Sequence, residues 1–161
     1  MKLIEGLRNK TILQHLLFLK NMSIVQACKE LKITPQQFSD WIKKRRPIPV
    51  ERLNILKNYF NIESTFLVDE KYYVKDMSAL DRVEIEILFA SRKLQESELE
   101  EEKAEYQYMV DKLEKERVYQ FRIARLARLI NTDNKRTINI IDRVIDKLEK
   151  NDFDYFNELI R

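Results

Sequence analysis

Glycine occurs once in the 161 residues, at Gly6, and proline three times, at Pro35, Pro47 and Pro49. A β-sandwich needs frequent turns built on these two residues, and a phosphate-cradling loop needs several glycines, so both are excluded. The same shortage excludes a disordered linker protein. An all-helical fold remains. One cysteine, Cys28, and one histidine, His15, cannot assemble a disulfide framework, a zinc site or a Cys/His nucleophile pair. Cys28 is expected to be a small core residue, and His15 to lie on the surface or core edge of a helix. No coherent set of nucleophile, base and orienting group is present, so neither catalysis, a metal nor a cofactor is expected. The longest apolar run, Leu16–Leu19, has four residues, far short of the roughly 20 that span a bilayer. The opening MKLIEGLRNK has no continuous apolar segment of the signal-peptide kind, so a cytoplasmic location without membrane contact is expected.

What is abundant is charge, at 35% of residues, and its near balance of +3 conceals an uneven distribution. Residues 1–67 carry 12 Lys/Arg and 5 Asp/Glu, a net of +7; residues 68–161 carry 18 and 22, a net of −4. The shift falls at VDEKYYVKDM, which lacks a helical period and precedes Ser78, an N-cap candidate with Asp81 three residues on. This gives an expected basic domain over 1–67, a linker over 68–77 and an acidic helical domain over 78–161.

The first domain reads as five short helices. Leu13, Leu16, Leu17 and Lys20 form one stripe, broken at Asn21-Met22. Ser23 and Gln26 make a capping box ahead of Ile24, Ala27, Cys28 and Leu31, spaced for one helix face. The device recurs with Thr34 as cap, Pro35 at the first helical position and Gln37 as the box partner. At 100° per residue, Phe38, Trp41 and Ile42 of this third helix share an apolar sector. Gln36, Ser39, Asp40, Lys43 and Lys44 take the other side. An exposed amide can pair with adenine N6 and N7, and the run Lys43-Lys44-Arg45-Arg46 supplies the fixed cations that a polyanion requires. Pro47-Ile48-Pro49 stiffens the exit into a fourth helix expected to bury Val50, Leu53, Leu56 and Phe60, with Phe66 and Leu67 closing the bundle. Helix pairs of this kind also bind proteins, and a cation run is often only a solvated face. The agreement of caps, core phase and cations on one geometry favours DNA.

The stretch SIVQACKELKITPQQFSDWIKKRRPIPVERL, within residues 23–67, resembles the lambda-repressor-like (Cro/XRE) helix-turn-helix family, particularly members with a Trp in the recognition helix and a basic turn before Ile-Pro. The resemblance covers about 45 residues, under a third of the chain. It implies that the third helix enters the major groove of double-stranded DNA while the second helix and the basic turn meet the backbone. Carried over by position, it implies that Gln36 and Asp40 face bases, that Gln37 faces bases or backbone, and that Thr34, Ser39, Lys43, Lys44, Arg45 and Arg46 meet phosphates. The chain departs from the family at three places: Cys28 replaces a small Ala, Ile24 replaces a common Gln, and Lys32 replaces the turn Gly. Lys32 must therefore take a less favourable backbone angle or re-route the turn.

No Pro or Gly interrupts the chain from Ser78 to Asn131. As one helix this segment would run about 80 Å, too long to bury in one copy, so it is expected to pair with something. Leu80, Val83, Ile87 and Leu94 at its start, and Met109, Leu113, Ile123 and Ile130 further on, are the expected dimerisation residues. The Glu-rich stretch over residues 95–105 is either a solvated part of a coiled coil or a bend between two helices. Arg117, Arg122, Arg125 and Arg128 read as a solvated flank, pairing with Glu114 or Glu116, rather than a second nucleic-acid surface. A last amphipathic helix is expected over residues 135–150, with a short terminal one carrying Phe153, Phe156 and Ile160. The expected function is a homodimeric, sequence-specific transcriptional regulator of phage, plasmid or prophage type that binds double-stranded DNA. The competitors are an antitoxin or phage-encoded inhibitor capturing a protein through residues 78–161, and an accessory factor for DNA processing.

Overall fold

A computed structural model describes residues 11–154 and 156. Its elements are helical: α1 (Ile12–Leu19), α2 (Ile24–Glu30), α3 (Pro35–Ile42), α4 (Val50–Phe60), α5 (Ser64–Leu67), α6 (Ala79–Glu96), α7 (Glu100–Ile130) and α8 (Lys135–Glu149). Among the described residues there is no strand, only isolated bridges pairing Thr11 with Asp76 and Val68 with Val74. The chain forms two compact units, Met1–Arg117 and Val118–Arg161.

Helix starts follow side-chain chemistry. Complete capping boxes, in which each partner's side chain accepts the other's backbone N–H, open α1 (Thr11, Gln14), α3 (Thr34, Gln37) and α6 (Ser78, Asp81). The box expected at α2 is half formed. Ser23 Oγ accepts the Gln26 N–H at 3.1 Å, but the Gln26 side chain turns forward to Glu30, a carboxylate one helical turn away.

Helix ends follow from the shortage of glycine. Asn21, Lys32, Lys44, Asn61 and Asn151 take φ of 51–54° just past α1, α2, α3, α4 and α8. In α2 the Ile33 N–H bonds Cys28 O at 3.0 Å and the Lys32 N–H bonds Lys29 O; in α3 the Arg45 N–H bonds Asp40 O at 2.8 Å and the Lys44 N–H bonds Trp41 O. These paired bonds are Schellman closures, which satisfy the last carbonyls and prefer glycine at the left-handed position. The chain kept its turn path and placed lysine at a left-handed angle, φ 51° at Lys32. A Cβ there costs about 1 kcal/mol, so Lys32→Gly should stabilise the protein by that amount and raise Tm by about 3 °C, read by thermal unfolding. An unchanged or lower Tm would contradict the strain.

The core of the first unit joins α1 to α6 in one cluster containing Ile12, Leu13, Leu16, Phe38, Trp41, Ile48, Leu56, Phe60, Leu67 and Val74, with Ile85 from α6. Residues 68–77 are therefore no linker. Val68 and Val74 are buried in this core, the Ile12 N–H bonds Lys75 O at 3.0 Å, and the Ile48 N–H bonds Tyr72 O at 2.8 Å. Asp69 shapes the turn by accepting the N–H groups of Lys71 and Tyr73. Helix α6 likewise belongs to the first unit. Ile85, Leu88 and Phe89 pack on the core, and the Arg92 guanidinium donates to the carbonyls of Phe60 and Asn61 at the end of α4. Two expected core positions are exposed, Ile24 and Val50, whereas Ile48 is buried.

The Glu-rich stretch contains a bend. Helix α6 stops at Ser97, whose backbone is extended, and α7 starts at Glu100. Within the first unit the two helices share a small cluster of Val83, Ala90 and Leu113, with Ile87 and Val110. Polar contacts accompany it: Arg82 of α6 bonds Glu86 at 3.0 Å and Glu116 of α7, and His15 Nε2 of α1 lies 3.3 Å from Glu86. His15, expected at a surface or core edge, is fully buried. Burial pushes the Glu86 carboxyl up, but the contacts with His15 and Arg82 outweigh it and hold the group below the ordinary carboxylate range. A depressed folded-state pKa contributes stability above the unfolded pKa that is lost as pH falls through the folded one. Acid unfolding of Glu86→Gln should therefore begin from a less stable state at neutral pH and show a shallower loss below about pH 4.5. Equal slopes in urea titrations across pH would contradict this linkage.

In the second unit, Asn134 caps α8 by accepting the N–H groups of Arg136 and Thr137. No described residue of this unit is buried. The expected terminal helix falls partly outside the described residues, Ile160 included.

Candidate nucleic-acid interface

Helix α3 is fixed from beneath and free above. Phe38 and Trp41 are buried, Ile42 packs on the same core, and α2 lies against α3 across the turn formed by residues 31–34. This anchors the backbone of an eight-residue helix whose opposite side carries Gln36, Gln37, Ser39 and Asp40. Cys28 and Ala27, both small and buried, sit on the α2 face of the same core, and burial pushes the Cys28 thiol up, as expected for an inert packing residue.

The polar side is more ordered than periodicity alone suggests. Gln36 Nε2 donates to Asp40 Oδ1 at 2.9 Å. Asp40 also faces the Arg45 guanidinium at 3.6 Å and that of Arg46 at 4.0 Å, and its side chain is only 13% exposed. Asp40 thus binds the helix to the basic turn, whereas the arginines are 60% and 80% exposed and keep most of their donors outward. Gln37 commits its carbonyl oxygen to the Thr34 N–H, while Thr34 Oγ accepts the Gln37 N–H, so both are cap residues first. Ser39 is half-buried, and Lys43 is exposed at the helix end.

Lys44, expected to meet phosphates, is engaged within the chain. Its ammonium donates to Asp76 across 2.5 Å, so the basic turn is tied to the segment expected as a linker. Residues 69–73 form a tight turn with Tyr72 at φ 64°, held by the Ile48 N–H on its carbonyl. Asp69 two and four residues ahead of the N–H groups it caps was the readable signal for this turn.

The expected dimerisation set separates. Val83, Ile87 and Leu113 are consumed inside one chain, in the contact between α6 and α7, because α7 folds back within the first unit. Leu80 and Leu94 are half-buried, and Met109, Ile123 and Ile130 are exposed. Arg117 pairs with Glu114 at 2.6 Å, a contact expected of a solvated flank.

No family model matches the chain, and neither does any curated protein or solved structure. Among the described residues no helix is long and apolar enough to cross a membrane.

Proposed function

We propose that the first unit is a helix-turn-helix module that binds double-stranded DNA in a sequence-dependent way, with α3 as the recognition helix, and that the protein is a transcriptional regulator. The observation that carries this reading is the combination at α3. A short helix is locked by Phe38 and Trp41 on one side, presents Gln36 on the other, and runs directly into four consecutive cations. The major groove accepts a helix of this size, and base edges are read by side chains near its N-terminus while cations hold the phosphates. In this reading Gln36 is the principal base contact and Lys43, Arg45 and Arg46 meet the backbone. Asp40 positions Gln36 and the arginines, a supporting role in place of the base contact first expected. Lys44 divides its charge between Asp76 and the phosphate path.

Gln36→Ala tests the assignment of base readout. In polarisation titrations against a preferred duplex and a scrambled one, the variant should lose about 1–3 kcal/mol of discrimination while its salt dependence stays that of the parent. Unchanged discrimination would remove Gln36 from the readout.

A further inference from the structure

The second unit spans 44 residues, contains neither Cys nor His, and has no buried residue among those described. Helical units of about 40 residues need a disulfide, a metal or oligomerisation to hold a core. The first two lack their residues here. What the unit has is uncovered apolar surface. Eleven large apolar side chains from Val118 to Phe153 are 39–60% exposed. Five of them, Val118, Phe121 and Leu129 on one side of α7 and Ile145 and Leu148 on one side of α8, supply about 400 Å² at roughly 80 Å² each, about half of the ~800 Å² per partner of a stable interface, and the half-buried Ile138, Ile141 and Val144 add to it.

Charge indicates what covers that surface. Arg122, Arg125 and Arg128 lie on one side of α7 among Val118, Phe121 and Leu129, and no ion pair engages any of the three among the described residues. On α8, Ile138, Ile141, Val144, Ile145 and Leu148 form a single stripe, flanked on one edge by Asp142, Asp146 and Glu149, which are likewise without ion pairs there. Three cations three residues apart and three carboxylates three or four apart are each spaced to line up along a helix. The chain therefore carries two complementary charged rows, and neither is paired among the described residues.

We propose that this unit is an interface with a second copy of the chain, in which the α8 stripe of each protomer seats on the arginine-bearing side of α7 of its partner. The contact is isologous, since each copy supplies both an arginine row and a carboxylate row. It stands apart from the nucleic-acid reading, because it requires only the second unit and no DNA.

Sedimentation equilibrium of the full chain without DNA, at about 20 μM, should give twice the 19.6 kDa chain mass; a mass of one chain, or of more than two, would overturn the proposal. Two charge-swapped chains then separate contact between copies from folding within one. The first carries Arg122→Glu, Arg125→Glu and Arg128→Glu; the second carries Asp142→Lys, Asp146→Lys and Glu149→Lys. Each alone should dimerise at least ~10-fold more weakly than the parent, and an equimolar mixture should recover two-chain mass to within about threefold. No recovery on mixing would overturn the proposed pairing. A one-chain species that still binds DNA would defeat this inference and leave the functional reading standing. A two-chain species without DNA affinity would do the reverse.

Discussion

Replacing Lys43, Lys44, Arg45 and Arg46 together by alanine should lower affinity for every duplex by roughly 10²–10³-fold near 0.15 M salt. It should also flatten the dependence of log K on log salt by about 3. Phosphate contacts release condensed counterions, at a slope near −0.9 for each phosphate neutralised. Four cations would give slightly more than 3, but the structure removes part of that capacity. Lys44 already donates to Asp76, and Arg45 and Arg46 share Asp40. The loss should be uniform across sequences because none of the four is assigned to a base edge, which separates it from the effect of Gln36→Ala. An unchanged slope with unchanged affinity would show that the cation run is only a solvated face.

The second large effect lies beneath the surface. Phe38 is fully buried at the centre of the core that joins α1 to α6. Phe38→Ala should destabilise the first unit by about 3–5 kcal/mol, from lost transfer free energy and the cavity left behind. Against a typical total of about 5–15 kcal/mol, that brings the unit close to unfolding, so DNA affinity should fall although no Phe38 atom reaches the polar face. Phe38→Leu keeps most of the volume and should cost under about 2 kcal/mol while retaining binding. Urea unfolding read alongside polarisation distinguishes the two, and a Phe38→Ala loss below about 1 kcal/mol would contradict the central place given to this ring.

Much of the first unit was legible because its signals are local. Thr34, Pro35 and Gln37 announce the start of α3 within four residues, and the phase of Phe38 and Trp41 identifies its buried side. Lys32 was legible as a place of backbone strain because only one residue type escapes the steric cost of a left-handed angle. The segment 68–77 was misread because its helical period is absent, and absence of period looks the same in a solvated linker and in an irregular segment that buries only two residues, Val68 and Val74. Val68 and Val74 are buried through long-range partners such as Ile12 and Ile48, which no local pattern encodes. The same limit moved the domain boundary. Val83 and Leu113 are apolar at seam positions, and that spacing serves equally for a partner chain or for a helix folded back from the bend at Ser97. At α3, periodicity separated the buried side from the polar one but not the contacts among its polar groups. Asp40 is engaged by Gln36, Arg45 and Arg46, contacts set by side-chain reach rather than by periodicity.

Selection of bound fragments from a pool of random duplex DNA by the full chain asks whether α3 reads sequence. One short motif should be enriched, and the enrichment should be lost when the selection is repeated with Gln36→Ala. Where two protomers engage one fragment, the motif should recur two-fold symmetrically at about one helical turn, roughly 34 Å. A recovered pool indistinguishable from the input, or one unchanged by Gln36→Ala, would contradict the reading of α3 as a recognition helix.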